Sequence, residues 1–170
     1  MEHLNNMQDL FVHELKDLYS AEQQLTEALP KMANAASSTV LREAFEQHLS
    51  QTRNHVERLE RIFSMMNVSR DAHECKGMKG LIKEGEEILK MHGDASAKDA
   101  ALIGAAQRVE HYEIAGYGTA RTHAEQLNYD DVADLLQDTL DEEGETNKKL
   151  TKIAEGGLVT TGVNEQAVRS

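Results

Sequence analysis

The chain of 170 residues carries 30 acidic and 18 basic side chains, for a formal net charge of −12. Nucleic acid and anionic membrane surfaces are therefore excluded as expected partners, because their phosphates would repel so acidic a chain. Cys75 is the only cysteine, which rules out an internal disulfide and argues against a zinc site built on cysteines. The sequence lacks a signal-peptide pattern and a long apolar stretch, so we expect a cytoplasmic location.

The composition is typical of an all-α protein. Glu, Ala, Leu, Lys and Gln are abundant, the chain has one proline, and aromatic residues make up only 4%. The length fits a single domain that can bury a sizeable core. We expect that core to be built mainly from Leu, Ala, Ile and Met.

Two long amphipathic helices are predicted in the first part of the chain, where apolar residues recur in steps of three and four. The first runs from about 5 to 36. Its apolar stripe continues past Pro30, so we expect a kink there and not an end. The second runs from about 38 to 66, with an N-cap among residues 37–39.

Two more long helices are predicted in the second half. One covers about 97–128, and the other starts near Asp130, which can cap it, and runs to 155. Two consecutive glycines at 156–157 end the last helix. We therefore expect a domain over 1–156 and a mobile C-terminal tail over 157–170.

The lengths of the connections predict the topology. Helices one and two, and helices three and four, are joined by a few residues, so each pair should be antiparallel. About 30 residues separate the second helix from the third, and 78–91 can form a short amphipathic helix within them. Two antiparallel hairpins joined by a long crossover are the arrangement of a ferritin-like four-helix bundle.

Each of the four apolar stripes is interrupted near its middle by residue types that bind metals. The interrupting residues are Glu22 on the first helix, His48 and His55 on the second, Glu110 and Glu113 on the third, and Glu143 on the fourth. Inward carboxylates without cations would repel one another and lose their solvation. Oxygen donors with two imidazoles suit iron or manganese and can accept zinc. We therefore predict a site for two metal ions, with iron as the first choice.

The competing interpretation is that these residues pair with buried Lys or Arg, or form a protonated polar layer. The stripes carry no Lys or Arg, which weakens this alternative. Three individual assignments stay open. His55 is either a ligand or a supporting group, Glu110 and Glu113 either both ligate or one orients the other, and Glu142 and Glu143 lie only about 100° apart around the helix.

Gln51, Thr52 and Tyr117 are further candidates for supporting contacts. Tyr117 lies one helical turn beyond Glu113. Its hydroxyl either donates to a ligand carboxylate or approaches an oxidising intermediate. The competing interpretation is an ordinary core tyrosine with a satisfied hydroxyl. No catalytic residue can be named, and we find no phosphate-binding loop, nucleophile elbow or dinucleotide fingerprint for an organic cofactor.

At these residues the chain resembles the YciE/YciF type of ferritin-like proteins of bacteria. The matching stretches are DLYSAEQQL at 17–25, HLSQT at 48–52, DAALIGAAQRVEHYEIAGYGT at 99–119 and LDEEG at 140–144. The resemblance implies an all-α ferritin-like fold, a tendency to form a homodimer, an association with stress, and a metal site related to those of rubrerythrins and bacterioferritins. The family pattern falls on Glu22, His48, Glu110, Glu113, Glu142 and Glu143.

The chain departs from the family pattern at two positions. Gln51 stands where members commonly carry Glu, and His55 stands where Gln is expected. In the wider di-iron pattern, Thr52 and Thr146 occupy places of a Glu and a His. The number of donors is kept but their distribution differs, which argues against simple ferroxidase behaviour.

Two functions are compatible with the sequence. In the first, the metal pair binds peroxide or dioxygen and handles iron or oxidant during stress. The alternative is a non-enzymatic, stress-associated structural or interaction protein, in which a metal or a polar layer only stabilises the bundle. A DNA-protecting cage is disfavoured by the acidic charge.

Overall fold

The computed structural model describes residues 4–71, 73–157 and 160–169. Within them the chain forms six helices, which confirms the all-α class. The helices are α1 (Met7–Ala35), α2 (Thr39–Met66), α3 (Lys76–Lys90), α4 (Ala95–Gln126), α5 (Asp130–Glu155) and α6 (Val163–Arg169). Among the described residues, no helix is both long enough and apolar enough to cross a membrane.

The helix boundaries agree with the periodicity to within a few residues. Pro30 lies inside α1, which continues through it as predicted. The side chain of Ser38 caps α2 by accepting a hydrogen bond from a backbone N–H of the first turn. The prediction that Asp130 caps α5 is wrong. Tyr129 holds that position without a side-chain cap bond, and Asp130 is the first helical residue, where its charge favours the helix dipole.

The four long helices pack against one another in two closely associated pairs. α1 packs along α2 and α4 along α5, while α1 also contacts α4 and α2 contacts α5. Hydrogen bonds cross each pair, from the Tyr19 hydroxyl to Glu60 at 2.8 Å and from the Gln107 amide to Asn147 at 3.1 Å. Four helices therefore face one common core.

That core consists of two apolar clusters, one toward each end of the long helices. On α1, Glu22 lies between Leu18 of one cluster and Leu25 of the other. On the remaining three helices the candidate metal ligands likewise fall between members of the two clusters. The polar interruptions seen in the sequence thus form one layer with apolar side chains above and below it.

α3 is the short amphipathic helix predicted over 78–91, and it begins slightly earlier, after Cys75. The backbone N–H of Cys75 donates to the Ser20 hydroxyl at 2.9 Å. Its thiol donates to Asp17 at 3.1 Å and lies 3.0 Å from the Tyr112 hydroxyl, which itself donates to Asp17 at 2.7 Å. Burial raises the pKa of the Cys75 thiol. These contacts, which fix the start of α3 against α1 and α4, were not predicted.

The turn between α1 and α2 is fixed by a carboxylate from α4. Asp99 is buried and accepts hydrogen bonds from the backbone N–H groups of Ser37, at 2.9 Å, and Ser38, at 2.7 Å. Backbone donors that helices leave free at their ends need such partners. Asp99 thereby ties the turn between α1 and α2 to α4.

The C-terminal segment carries the short helix α6, which packs against α4 and α5. Val163 at its start is buried in the larger of the two apolar clusters. Residues 158–159 and 170 lie outside the described part of the chain. The division at residue 156 and the mobility expected beyond it stay predictions.

Candidate metal centre

The structure brings all six candidate ligands together in the polar layer. Their side chains are almost fully buried, with the largest exposed fraction being 3%, at His48. They come from all four long helices: Glu22 from α1, His48 and His55 from α2, Glu110 and Glu113 from α4, and Glu143 from α5. Four carboxylates and two imidazoles therefore share one small interior volume.

These residues form two adjacent groups that share a carboxylate. In each group, one possible ligand atom per residue can be chosen so that the chosen atoms all lie within 4.8 Å of one another. The first group is His48, Glu110, Glu113 and Glu143, and the second is Glu22, His55 and Glu143. A pair of cation positions bridged by Glu143 fits this geometry.

The contacts within each group are close but are not hydrogen bonds. Nε2 of His48 lies 3.2 Å from Oε1 of Glu110 and 3.9 Å from Oε2 of Glu143. Nδ1 of His55 lies 2.9 Å from Oε1 of Glu143 and 3.2 Å from Oε1 of Glu22. Both nitrogens and both Glu143 oxygens nevertheless lack a hydrogen-bond partner. A cation placed between them would coordinate these atoms once their protons are displaced.

Unpaired buried polar atoms are concentrated at this site. In the described residues, 11 buried side-chain nitrogen and oxygen atoms have no hydrogen-bond partner, and nine of them belong to the six candidate ligands. In Glu113 and in Glu143, neither carboxylate oxygen is paired. Leaving one such group unpaired costs about 1–3 kcal/mol, and more when it is charged. The donor set therefore fits a bound cation better than it fits a self-sufficient hydrogen-bond network.

A second set of side chains orients the candidate ligands. The buried Tyr117 hydroxyl donates to Oε1 of Glu22 at 2.6 Å, which is one of the two roles considered for this tyrosine. Thr52 and Thr146 instead donate to backbone carbonyls of their own helices, at His48 and Glu142. The two threonines therefore contribute no hydroxyl proton to the centre.

Glu142 belongs to neither ligand group and instead contacts the outer ring nitrogen of His55. Its Oε2 lies 2.7 Å from Nε2 of His55 and accepts from Arg58 at 3.1 Å. Arg58 also donates to the Thr139 hydroxyl at 2.6 Å. A proton on Nε2 leaves Nδ1 of His55 free to face the centre, as in many histidine metal ligands. Glu143 is thus the inward carboxylate of the adjacent pair.

Sequence reasoning missed Arg58, which lies off the apolar stripe of α2. The available signal was its spacing, since Arg58 follows His55 by three residues and so shares its side of the helix. Gln51, the other candidate supporting residue, is half-buried and lines a cleft that reaches His48 and Glu110.

Without a metal, protons occupy part of this layer. Burial raises the pKa of Glu110 and Glu113 well above the ordinary value, with the neighbouring Glu143 adding to the effect in both cases. Burial lowers the pKa of His48. At His55 burial acts in the same direction, but the carboxylates of Glu143 and Glu22 outweigh it and raise the pKa to about 10. Metal binding must therefore displace protons.

The chain is similar to known proteins over most of its length. Residues 6–167 match the family described as "Domain of unknown function (DUF892)". The chain belongs to this family. Protein YciF of Escherichia coli K12 is 47% identical over 152 residues, which are 89% of this chain and 92% of that protein. The resemblance to YciE/YciF proteins is thereby confirmed.

Solved structures support the same relationship. The crystal structure of the E. coli stress protein YciF matches with a TM-score of 0.86 at 46% identity, covering 88% of this chain and 94% of that one. YcfI of Rhodopseudomonas palustris matches with a TM-score of 0.85 at 41% identity, covering 88% and 96%. A Xanthomonas campestris protein with a TM-score of 0.70, at 20% identity over 96% and 92% of the two chains, shares the fold.

The metal-free protein should lose stability as the pH rises from 6.5 to 10. The folded pKa of His55, about 10, lies above the ordinary 6.5, so the imidazolium stabilises the fold fully below pH 6.5 and progressively less above it. Glu110 and Glu113, whose pKa values are also raised, act in the same direction. We expect Tm in EDTA, measured by circular dichroism, to fall by at least about 5 °C.

The substitution His55→Gln should reduce this pH dependence, since it removes one of the groups that lose a proton in that range. The lowered pKa values of Glu142 and Glu143 act only at acidic pH and leave this range unaffected. A Tm that rises between pH 6.5 and 10 in the metal-free wild type would contradict the assignment of the charged state.

Glu113→Gln should stabilise the metal-free protein by about 1–3 kcal/mol at pH 8, because it removes a buried acid without partners. The same change should weaken metal binding. Urea denaturation in EDTA and in excess Mn²⁺ measures both effects, with the exposed Glu57→Gln as the matched control. Equal destabilisation under both conditions would mean that Glu113 is a structural hydrogen-bonding group.

Proposed function

We propose that this protein is a ferritin-like metal protein that uses two iron ions to reduce peroxide or dioxygen. The observation that carries the proposal is the clustering of unpaired buried donor atoms in two groups that share Glu143. The proposed fold is a four-helix bundle, with α1–α2 and α4–α5 as its antiparallel pairs and α3 in the crossover. The expected homodimer and cytoplasmic location remain predictions.

The donor types support iron or manganese. Four carboxylates carry four negative charges when ionised, which two divalent cations neutralise. Carboxylate and imidazole donors suit Fe²⁺ and Mn²⁺, and would also accept Zn²⁺. The soft thiol of Cys75 belongs to neither ligand group. Iron is the proposed occupant because it adds the redox chemistry that a stress-related role requires.

The residues around the centre hold its donors in place and lower the local dielectric. Tyr117 fixes Glu22, and Glu142 with Arg58 fixes His55. The apolar clusters on both sides keep water from most of the layer, which strengthens the electrostatic interactions within it. When bound, two ferrous ions would supply the two electrons that reduction of a peroxide requires.

A second candidate function is structural. YcfI, the Rhodopseudomonas relative, is described as a candidate structural protein. In that case the metal, or protons shared within the layer, would only fix how the helices pack. Chelation would then lower Tm, and the loaded protein would not react with oxidants.

Removing single ligands should separate the two metal positions. Wild-type protein should bind two Mn²⁺ ions, and Glu22→Ala should retain one, because the first group does not use Glu22. Glu143→Ala should lose both ions, since both groups share Glu143. Calorimetric titration under argon gives these ratios, with the exposed Glu57→Ala as control. Retention of two ions by Glu143→Ala would contradict the bridged arrangement.

Ferrous-loaded protein should consume one hydrogen peroxide for every two iron ions and develop the visible absorption of ferric iron. Stopped-flow spectroscopy under argon measures this reaction. Glu143→Ala, mixed with the same amount of iron, should show only the rate of free iron. A fully loaded protein that shows no spectral change after peroxide and dioxygen would leave the structural function as the better assignment.

Metal identity requires a separate measurement. Elemental analysis of protein purified without added metal, followed by anomalous diffraction at the iron edge, would show which ion lies between Glu113, Glu143 and the histidines.

A further inference from the structure

A cleft of about 240 Å³ opens between α2 and α5 and ends at one half of the candidate centre. His48 and Glu110 form its inner end, and both belong to the first ligand group. The space is large for dioxygen or hydrogen peroxide, because one water molecule needs only about 10–15 Å³. The cleft therefore has room for a ligand that carries an organic group in addition to its reactive oxygen atoms.

The walls of the cleft differ in polarity along its depth. Ala44, Phe45 and Leu150 contribute apolar surface, beside the polar side chains of Gln51, Glu145 and Thr146. At the rim, the ammonium group of Lys149 donates a hydrogen bond to Gln47 at 2.5 Å and links α5 to α2. A ligand with an apolar body and a polar oxygen end matches this order of surfaces.

The other half of the centre is closed by its own supporting residues. Glu22 and His55 have no exposed surface. The hydroxyl of Tyr117 is bonded to Glu22, and the outer nitrogen of His55 is occupied by Glu142. The cleft therefore gives access to the metal position at His48 and Glu110, but not to the position at Glu22 and His55.

We propose that this cleft is the substrate-binding site of the centre and that it takes an organic hydroperoxide. The inference rests on the proposed function and narrows its substrate class. The O–O end lies toward His48 and Glu110, and the hydrocarbon body packs against Phe45 and Leu150. Hydrogen peroxide also enters, but it gains nothing from the apolar surface.

The two ferrous ions of the proposed function would supply all the electrons that this reduction needs. The hydroperoxide ROOH takes up two electrons, one from each of two ferrous ions, together with two protons from solvent. The O–O bond breaks, and the products are the alcohol ROH, one water molecule and two ferric ions. A separate reductant of the ferric protein is not part of this step.

The cleft can be narrowed without touching a candidate ligand. Ala44→Leu adds a side chain at the wall, and Ala133→Leu adds the same group in the apolar cluster at the other end of the helices. Both alanines are 6% exposed, so the two variants are matched for overpacking. Gln47→Trp at the exposed rim supplies a second narrowing variant if Ala44→Leu fails to fold.

Two readouts test the proposal. With ferrous protein, the ratio of the cumene hydroperoxide rate to the hydrogen peroxide rate should fall at least tenfold in Ala44→Leu and stay within twofold in Ala133→Leu. With cobalt-loaded protein, which does not turn over, visible absorption should report binding of benzoate and azide. The Kd for benzoate, relative to that for azide, should rise at least tenfold in Ala44→Leu only.

The outcomes distinguish this inference from the proposed function. If wild type reacts with hydrogen peroxide but neither oxidises with cumene hydroperoxide nor binds benzoate, the hydroperoxide site is wrong and the redox function stands. Unchanged rate and Kd ratios in both narrowing variants would also overturn it. If wild type binds no metal, both proposals fail together.

Discussion

The structure depends on how a buried layer of four carboxylates and two imidazoles is neutralised. The layer lies between two apolar clusters, so solvent screens its charges only weakly. Buried carboxylates without partners would weaken the packing of all four long helices. Glu113 and Glu143 illustrate this, because both are fully buried and none of their four oxygens has a hydrogen-bond partner. Either protons or cations must compensate, and the two alternatives compete for the same atoms.

The charge of the buried carboxylates is compensated differently in the two halves of the layer. His55 is surrounded by Glu22, Glu142 and Glu143, which favour its charged form and fix its orientation. His48 lies beside the cleft, where burial favours its neutral form. A neutral imidazole can bind a metal ion directly. Because His48 lies next to the cleft, such an ion would keep a coordination position open to other ligands. The half around His55 must first release a proton before its inner nitrogen can bind an ion.

The sequence was sufficient to locate this layer, but not to describe its surroundings. Glu22 and Glu143 were visible because a charged residue on an apolar stripe breaks a regular pattern. Arg58 and Asp99 break no such pattern, since their partners come from other helices and depend on how those helices are placed. The contacts of Cys75 with Asp17 were hidden for the same reason. Helical periodicity reports which side of a helix faces inward, but not which distant residue it meets there.

The placement of both histidines on one helix has a geometric consequence. His48 and His55 are seven residues apart, about 10.5 Å along the axis of α2, yet both ring systems approach Glu143. One carboxylate from α5 thus spans the two positions that α2 supplies. Sliding α2 by one turn would preserve its apolar stripe but would lose both contacts with Glu143. The polar layer therefore specifies the register of α2 against α5, which the apolar stripes alone leave free.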